Sequence, residues 1–423
     1  MTLSKKLAMI NLLQISDIHF HAFPGDDEDA YRNMRNRLLE DMDYIHDNLS
    51  TINSLLICGD IAFSGDDKEY QIAKKFITNI LERLKKDEKQ PNVFMVPGNH
   101  DKKRSSYEET RYVLNKALLN DQLETANKFF LKIRNTEQDT IKILYAPLEE
   151  YSKFAFEYNS IDGITNAIMT GESTKGKDAF YSRPIGTIGD YTITLIGLNS
   201  VLSCDKYDFA ENNGHKLFLP KIAINQLKKR NDIFVSVIHH PIEECIKHPN
   251  KVRKTFDELY DVQLYGHMHK QSSKVDNSIK IFSGALQPDD QNDTEYFPVY
   301  NIISLDIENS NLTVKIHARK WNGRYFVEYL EGSTEYSLSL APVNTWTLEE
   351  KEKAEEVKQE AMNIEETYKI QNDFLRKDGR SRKHIIRKLG FCYQESKNEY
   401  ANAILFLKWI DQCNKWTELN NLL

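Results

Sequence analysis

Five short motifs in the 423-residue chain combine imidazole and carboxylate donors: Asp17-Ile18-His19, Gly59-Asp60, Gly98-Asn99-His100-Asp101, His239-His240-Pro241 and Gly266-His267-Met268-His269. Six of the twelve histidines fall within them. Asp17 and His19 are two residues apart, as are His267 and His269, and in an extended chain such pairs point to the same side. Each pair can therefore face one metal cluster. Mixed nitrogen and oxygen donors suit Mn, Fe, Zn or Ni better than Ca. A pair of divalent cations roughly 3.5–4 Å apart can acidify a bridging water and clamp phosphoryl oxygens during in-line attack. Two such cations set against Asp17, Asp60 and a hydroxide leave residual positive charge toward an anionic phosphate. His100 can carry a proton near neutral pH. It is the candidate to protonate a leaving oxygen or to stabilise the transition state, an effect of about 10²–10⁴-fold.

Each motif directly follows a short apolar run, and those runs read as strands at 12–15, 54–58, 93–96, 234–238 and 262–265, with two more at 192–198 and 279–282. Helical patterns at 31–49 and 68–86 lie between the first three; in the second, Ile72, Phe76, Ile80 and Leu84 recur every four residues. Strand–helix alternation implies an α/β layered domain. In such sheets ligands bind beyond the carboxyl ends of the strands, which gathers the five motifs at one rim. Gly59, Gly98 and Gly266 stand where the chain must turn sharply and approach a ligand. The run after Thr187 and the alternating stretch 299–316 predict a second sheet packed on the first.

The set DxH, GD, GNHD, HH and GHxH, in this order and at strand ends, resembles the calcineurin-like metallophosphoesterase superfamily over about residues 10–320. The resemblance implies a four-layer α/β/β/α sandwich of two mixed sheets. It implies one metal held by Asp17, His19, Asp60 and His269, and a second held by the shared Asp60 with Asn99, His239 and His267, Mn being the first expectation. His239 is preferred to His240 because it is the first residue after its strand. His100 would be the catalytic histidine. Phosphoprotein phosphatases of the superfamily carry an Asp and an Arg shortly after the GD motif, whereas this chain reads Ile61-Ala62-Phe63-Ser64-Gly65. A bidentate guanidinium is how such sites grip a phosphomonoester, so its absence argues against a protein phosphatase. It also leaves His100 without the usual acidic partner, and Asp101 becomes the candidate to orient it. The GDIAFSG, VPGNHD and HHP pattern is closer to the cyclic-nucleotide phosphodiesterase branch.

The expected organisation is a metallophosphoesterase domain over 8–344 and a small helical appendage over 345–423. The polar, helically periodic stretch 104–165 interrupts the domain, as a cap over the site or as an inert surface insertion. At 40% hydrophobic and 28% charged residues the composition is that of a globular protein. No apolar run reaches the roughly 18 residues of a membrane span, and Asn11 and Gln14 interrupt the one stretch that resembles a signal peptide. A cytoplasmic protein is expected. Five widely spaced cysteines read as reduced thiols.

A formal charge of -7 gives no global attraction to nucleic acid. The basic stretch 376–388 reads as a solvated helix face, although such clusters can contact phosphate backbones. The apolar face of the last helix, with Ile404, Leu405, Leu407, Trp409, Ile410 and Trp416, could dock a protein partner or a second copy. The leading expectation is a phosphodiesterase for a nucleotide-type diester. The alternatives are a nuclease resembling the double-strand-break repair enzymes of the superfamily, and a regulatory subunit that recruits a partner. His21 lies near the motifs and could line the pocket, although a solvated surface histidine is the commoner case; His46, His215, His248, His317 and His384 have no motif context and read as ordinary.

Overall fold

A computed structural model describes residues 6–7, 9–22, 31–48, 51–103, 108–119, 123–204, 217–221, 228, 231–245, 249–287, 297–340, 374, 377–389, 406–407, 419 and 421–422. The chain divides into two compact units, Met1–Val343 and Asn344–Leu423.

In the first unit the strands run β1 (Lys6–Leu7), β2 (Ile10–Ile15), β3 (Ser54–Ile57), β4 (Asn92–Met95), β5 (Phe180–Ile188), β6 (Tyr191–Leu198) and β7 (Asp232–Ile238). They continue as β8 (Val262–Tyr265), β9 (Ser272–Val275), β10 (Ile279–Phe282), β11 (Val299–Glu308), β12 (Asn311–Trp321), β13 (Phe326–Glu328) and β14 (Thr334–Ser339). Two mixed sheets result. One has the order β1-β5-β6-β7-β8-β10-β9; the other has β13-β12-β11-β2-β3-β4, with β14 also paired to β12.

Strand periodicity explains the layering. Leu12 and Leu56 point into the space between the sheets, where they meet Ile193, Val235, Val237 and Leu264. Their neighbours Leu13 and Leu55 point the other way, toward α1 (Arg32–Asn48) and α2 (Asp67–Leu84). The outer face of the other sheet presents Ile196 and Phe234 to Phe256 and Tyr260. The order helix, sheet, sheet, helix is the α/β/β/α sandwich that the motifs implied. The motif-bearing strands β2, β3 and β4 are parallel neighbours in one sheet, and β7 and β8 are parallel neighbours in the other.

Among the described residues, five α-helices lie between β4 and β5: α3 (Glu108–Leu118), α4 (Leu123–Thr136), α5 (Gln138–Tyr145), α6 (Glu149–Glu157) and α7 (Gly163–Thr170). Polar as the stretch reads, it packs apolar side chains into the core. Leu118, Phe130, Ile133, Ile141 and Ile164 are buried in the same core as α1 and α2. Asn127 Oδ1 accepts from Lys221 N at 2.6 Å, and Lys103 N donates to Pro147 O at 2.8 Å. The helices therefore brace the segments that flank the motif loops. Two short helices, α8 (Ile242–Cys245) and α9 (Pro249–Leu259), follow β7.

In the second unit the described helix is α10 (Gly379–Lys388), capped by Asp378 and burying Ile385 and Ile386 while exposing Arg380, Arg387 and Lys388. Most of the rest of the helical appendage expected over 345–423, its last helix included, lies outside the described residues. Cys58, Cys204 and Cys245 are free and buried. Among the described residues no helix is long and apolar enough to cross a membrane.

Candidate metal centre

The turns that end the motif strands force unusual backbone on their own donors. Asp17, His19, Asp60, His267 and His269 all have positive φ, between 48° and 65°. Side chains other than glycine rarely adopt this region, and strain of about 1–3 kcal/mol per residue persists only where surroundings over-determine it. Here they do. Asp17 N donates to Gly59 O at 3.1 Å, Ile18 N to Asp60 O at 2.8 Å, and Gln287 N to Asp17 O at 2.9 Å. At Gly98 and Gly266 the constraint is space rather than φ: an added Cβ would overlap Asp60 Oδ1 at the first and Ser16 Oγ at the second.

Three imidazoles are oriented by backbone carbonyls. His19 Nδ1 lies 2.8 Å from Gln287 O, His239 Nδ1 lies 2.7 Å from Cys58 O, and His100 Nδ1 lies 2.8 Å from Phe63 O. A carbonyl only accepts, so each Nδ1 carries hydrogen and each Nε2 is turned inward. The inward atoms converge on Asp60. Its Oδ2 is 3.3 Å from both His19 Nε2 and His239 Nε2, while its Oδ1 accepts from His100 N at 2.8 Å. His239 Nε2 is also 3.1 Å from Asn99 Oδ1. His269 Nε2 is 3.3 Å from Asp17 Oδ1, and that oxygen is buried without a hydrogen bond. Within 4.8 Å of one another lie donor atoms of Asp17, His19 and His269, of Asp17, Asp60 and His239, and of His239, His240 and His267.

This donor set fits divalent cations. With hydrogen on Nδ1, the Nε2 of neutral His239 faces Asn99 Oδ1 and Asp60 Oδ2, so three lone pairs confront each other with nothing positive between them. Protons can fill the gap. Burial opposes the imidazolium of His19, but its bond to Asp60 and the charges of Asp60 and Asp17 lift it to about 9. His239 reaches about 9 for the same reasons. Despite burial, His239 and His19 hold the Asp60 carboxylate well below its ordinary range. His267 goes the other way, down to about 4, because burial and the charge on His239 disfavour its proton.

All seven residues expected to ligate, Asp17, His19, Asp60, Asn99, His239, His267 and His269, are brought to this one centre. The neighbouring His240 has Nδ1 2.9 Å from Ser200 Oγ; burial above all, and then the nearby His267, His239 and Lys102, push the pKa of its imidazolium well below the ordinary range. His100 belongs to the centre too, grouped with His19 and Asp60.

Asp101 does not orient His100. Its carboxylate accepts from Ala62 N at 2.9 Å, Gly98 N at 2.8 Å, Ile61 N at 3.2 Å and the Tyr70 hydroxyl at 3.0 Å. It clamps two motif loops together, and the Phe63 carbonyl orients the histidine instead. His21, weighed as a pocket-lining or a surface residue, is half-buried with its ring 4.0 Å from that of Phe63, which in turn lies 5.2 Å from His100. Sequence reasoning also missed Glu244, whose carboxylate is 3.4 Å from His267 Nε2. Its place just past the HHP turn was the available signal. Gln287 carries no motif, and nothing local marks it.

The family model for the calcineurin-like phosphoesterases matches residues 10–271. The chain belongs to that family. The family is one of metal-dependent phosphoesterases with a dinuclear centre, and the clusters described above are candidate ligands for such a centre. No curated protein matches the chain. Among solved structures, it is similar to vacuolar protein sorting 29 of Cryptosporidium parvum at 11% identity and a TM-score of 0.34, over 78% of this chain and 100% of that one. The purple acid phosphatase PPD1 of yellow lupin (Lupinus luteus) seeds is similar at 12% identity and a TM-score of 0.39, over 81% and 58%. Vps29 of Entamoeba histolytica, complexed with zinc, is similar at 11% identity and a TM-score of 0.29, over 78% and 99%.

Proposed function

We propose that this phosphoesterase is a phosphodiesterase acting on a nucleotide-type diester. One metal would be held by Asp17, His19, Asp60 and His269, the other by Asp60, Asn99, His239 and His267. Mn²⁺ is the first candidate, with Fe, Zn or Ni also suited to these donors. When bound, such a pair supplies an acidified water and positive charge against phosphoryl oxygens.

The observation that carries the diester reading is Phe63. Where a monoester-gripping arginine would follow the Gly-Asp turn, the chain places an aromatic ring beside the ring of His100. A monoester dianion brings a charge that the Phe63 ring, unlike an arginine, does nothing to neutralise; a diester brings one charge fewer and a second substituent that can lie against a ring. His100, its Nδ1–H committed to the Phe63 carbonyl, presents Nε2 as the atom that would carry a proton to the leaving oxygen. The likeness of GDIAFSG and HHP to the cyclic-nucleotide branch supports a nucleotide as the alcohol.

The test uses Mn²⁺-loaded full-length protein with bis(p-nitrophenyl) phosphate, p-nitrophenyl phosphate, 2′,3′- and 3′,5′-cyclic nucleotides, and single- and double-stranded nucleic acid. Chelator-sensitive hydrolysis should favour the diester by at least ~10-fold, about 1.4 kcal/mol of transition-state preference. A preference for the monoester would overturn the reading. Cleavage of DNA or RNA with steeply salt-sensitive affinity would move the assignment to a nuclease. His100→Ala should lower diester turnover by about 10²–10⁴-fold while metal content stays at the wild-type value.

A further inference from the structure

Lys102 directly follows the Gly98–Asp101 loop, yet its side chain runs inward and is only 3% exposed. Its Nζ donates to the carbonyls of Val201 at 2.7 Å, Leu202 at 3.1 Å and Cys204 at 2.7 Å. An ammonium has three donors, and each of them has a backbone oxygen here. Those oxygens belong to the loop 199–204 that leaves β6, in the opposite sheet from β4. That loop is closed on itself by Cys204 N donating to Val201 O at 3.1 Å and by Asn199 Oδ1 accepting from Val201 N at 3.0 Å. It also carries Ser200, whose Oγ lies 2.9 Å from His240 Nδ1 and accepts from His240 N at 3.3 Å.

The two halves of the metal centre come from different sheets. Asn99, His100 and Asp60 follow strands of one; His239, His240 and His267 follow strands of the other. Apolar packing between the sheets fixes their spacing but tolerates sliding, because it has no direction. Three hydrogen bonds from one ammonium fix a position along three directions. Burying a lysine charge is unfavourable unless it is fully hydrogen-bonded, and an apolar side chain would fill this space with no such penalty. Space-filling alone therefore does not account for a lysine here; a directional tie does.

We propose that Lys102 is a positioning residue for the reaction: through the 199–204 carbonyls and Ser200 it sets His100 and Asn99 against the His239–His240–His267 side of the centre. The proposal rests on the phosphodiesterase reading only for its kinetic assay. The Lys102 ammonium bonds to backbone carbonyls of the 199–204 loop, so its loss should leave both metals bound but shift them relative to one another.

The test compares full-length wild type with Lys102→Met, Lys102→Ala, Ser200→Ala and Lys102→Met/Ser200→Ala, each loaded with Mn²⁺. With bis(p-nitrophenyl) phosphate, Lys102→Met should lower kcat by one to two orders of magnitude with KM changed less than threefold and bound manganese unchanged. Ser200→Ala should lower kcat in the same sense, and the double variant should lose little beyond the worse single one. Ethylammonium should restore part of kcat in Lys102→Ala by refilling the carbonyl cage, while leaving wild type unaffected. The electron paramagnetic resonance spectrum of the coupled manganese pair should change between wild type and Lys102→Met. This last readout stands even if wild type cleaves no diester, which would sink the phosphodiesterase reading alone. Wild-type kcat in Ser200→Ala, additive losses in the double variant, or an unchanged manganese spectrum in Lys102→Met would overturn the positioning role. Should Lys102→Met not fold, Ser200→Ala and the ethylammonium response of Lys102→Ala decide the matter.

Discussion

His239 Nε2 and Asn99 Oδ1 meet at 3.1 Å although the two residues end strands of different sheets. The centre is an interface feature: it exists where the carboxyl ends of β3 and β4 face those of β7 and β8. What disturbs the seam between the sheets should disturb metal binding, even when no donor is changed.

Gly98→Ala tests the tightness of that seam. The new methyl would overlap Asp60 Oδ1 and Asp60 N, and Asp60 cannot swing away because His100 N, His19 and His239 hold it. Overpacking of this kind costs about 1–3 kcal/mol. Denaturant unfolding should show a loss in that range, and the variant should hold less metal than wild type at equal free Mn²⁺.

Asp101→Asn separates clamping from catalysis. The carboxylate serves Ile61 N, Ala62 N, Gly98 N and the Tyr70 hydroxyl. An amide keeps one acceptor oxygen and sets two donors against donors. Each buried orphan costs about 1–3 kcal/mol, so the unfolding free energy should drop by at least that much. Unchanged stability combined with lost turnover would return Asp101 to the catalytic role.

Asp162 provides a pH test outside the centre. It caps α7 by accepting from Thr165 N at 2.6 Å, and burial pushes its carboxyl up to about 6. A carboxyl with a raised folded-state pKa binds more protons folded than unfolded. Its effect on stability therefore worsens as pH rises from roughly 3.9 toward that value, and is constant above it. Asparagine caps about as well as aspartate and has no charge to bury. Asp162→Asn should be more stable than wild type at pH 8, and the difference should vanish by about pH 4. Thermal melts across that range measure it.

Metal removal should be visible as lost stability. A ligand that binds only the folded state at about 100 times its Kd contributes about 2.7 kcal/mol. Calorimetry of Mn²⁺-loaded protein against chelator-treated protein should show a lower Tm after chelation, restored by adding Mn²⁺. In His267→Ala the gap between the two should shrink.

Much of the fold was legible before the tertiary structure because it depends on local pattern. The strands expected at 262–265 and 279–282 are β8 and β10 with the same bounds, since apolar β-branched runs between turns specify a strand without help from afar. The motifs' position after those strands was equally legible, and strand direction alone then sends their side chains to one rim. What local pattern could not supply is which atom each side chain meets. Asp101 and His100 are adjacent in the chain, yet the carboxylate turns to backbone amides of the Gly59–Ala62 turn while the imidazole turns to Phe63 O. Lys102 finds its carbonyls about a hundred residues away. The helices of 108–170 read as polar, yet they place Phe130 and Ile133 in a core shared with Phe218. Hydrophobic period and turn chemistry act over a few residues and are written in the sequence. Ring orientation, the carbonyl that selects a tautomer, and the partner of a buried charge are set by groups that only the folded sheets bring within 3 Å.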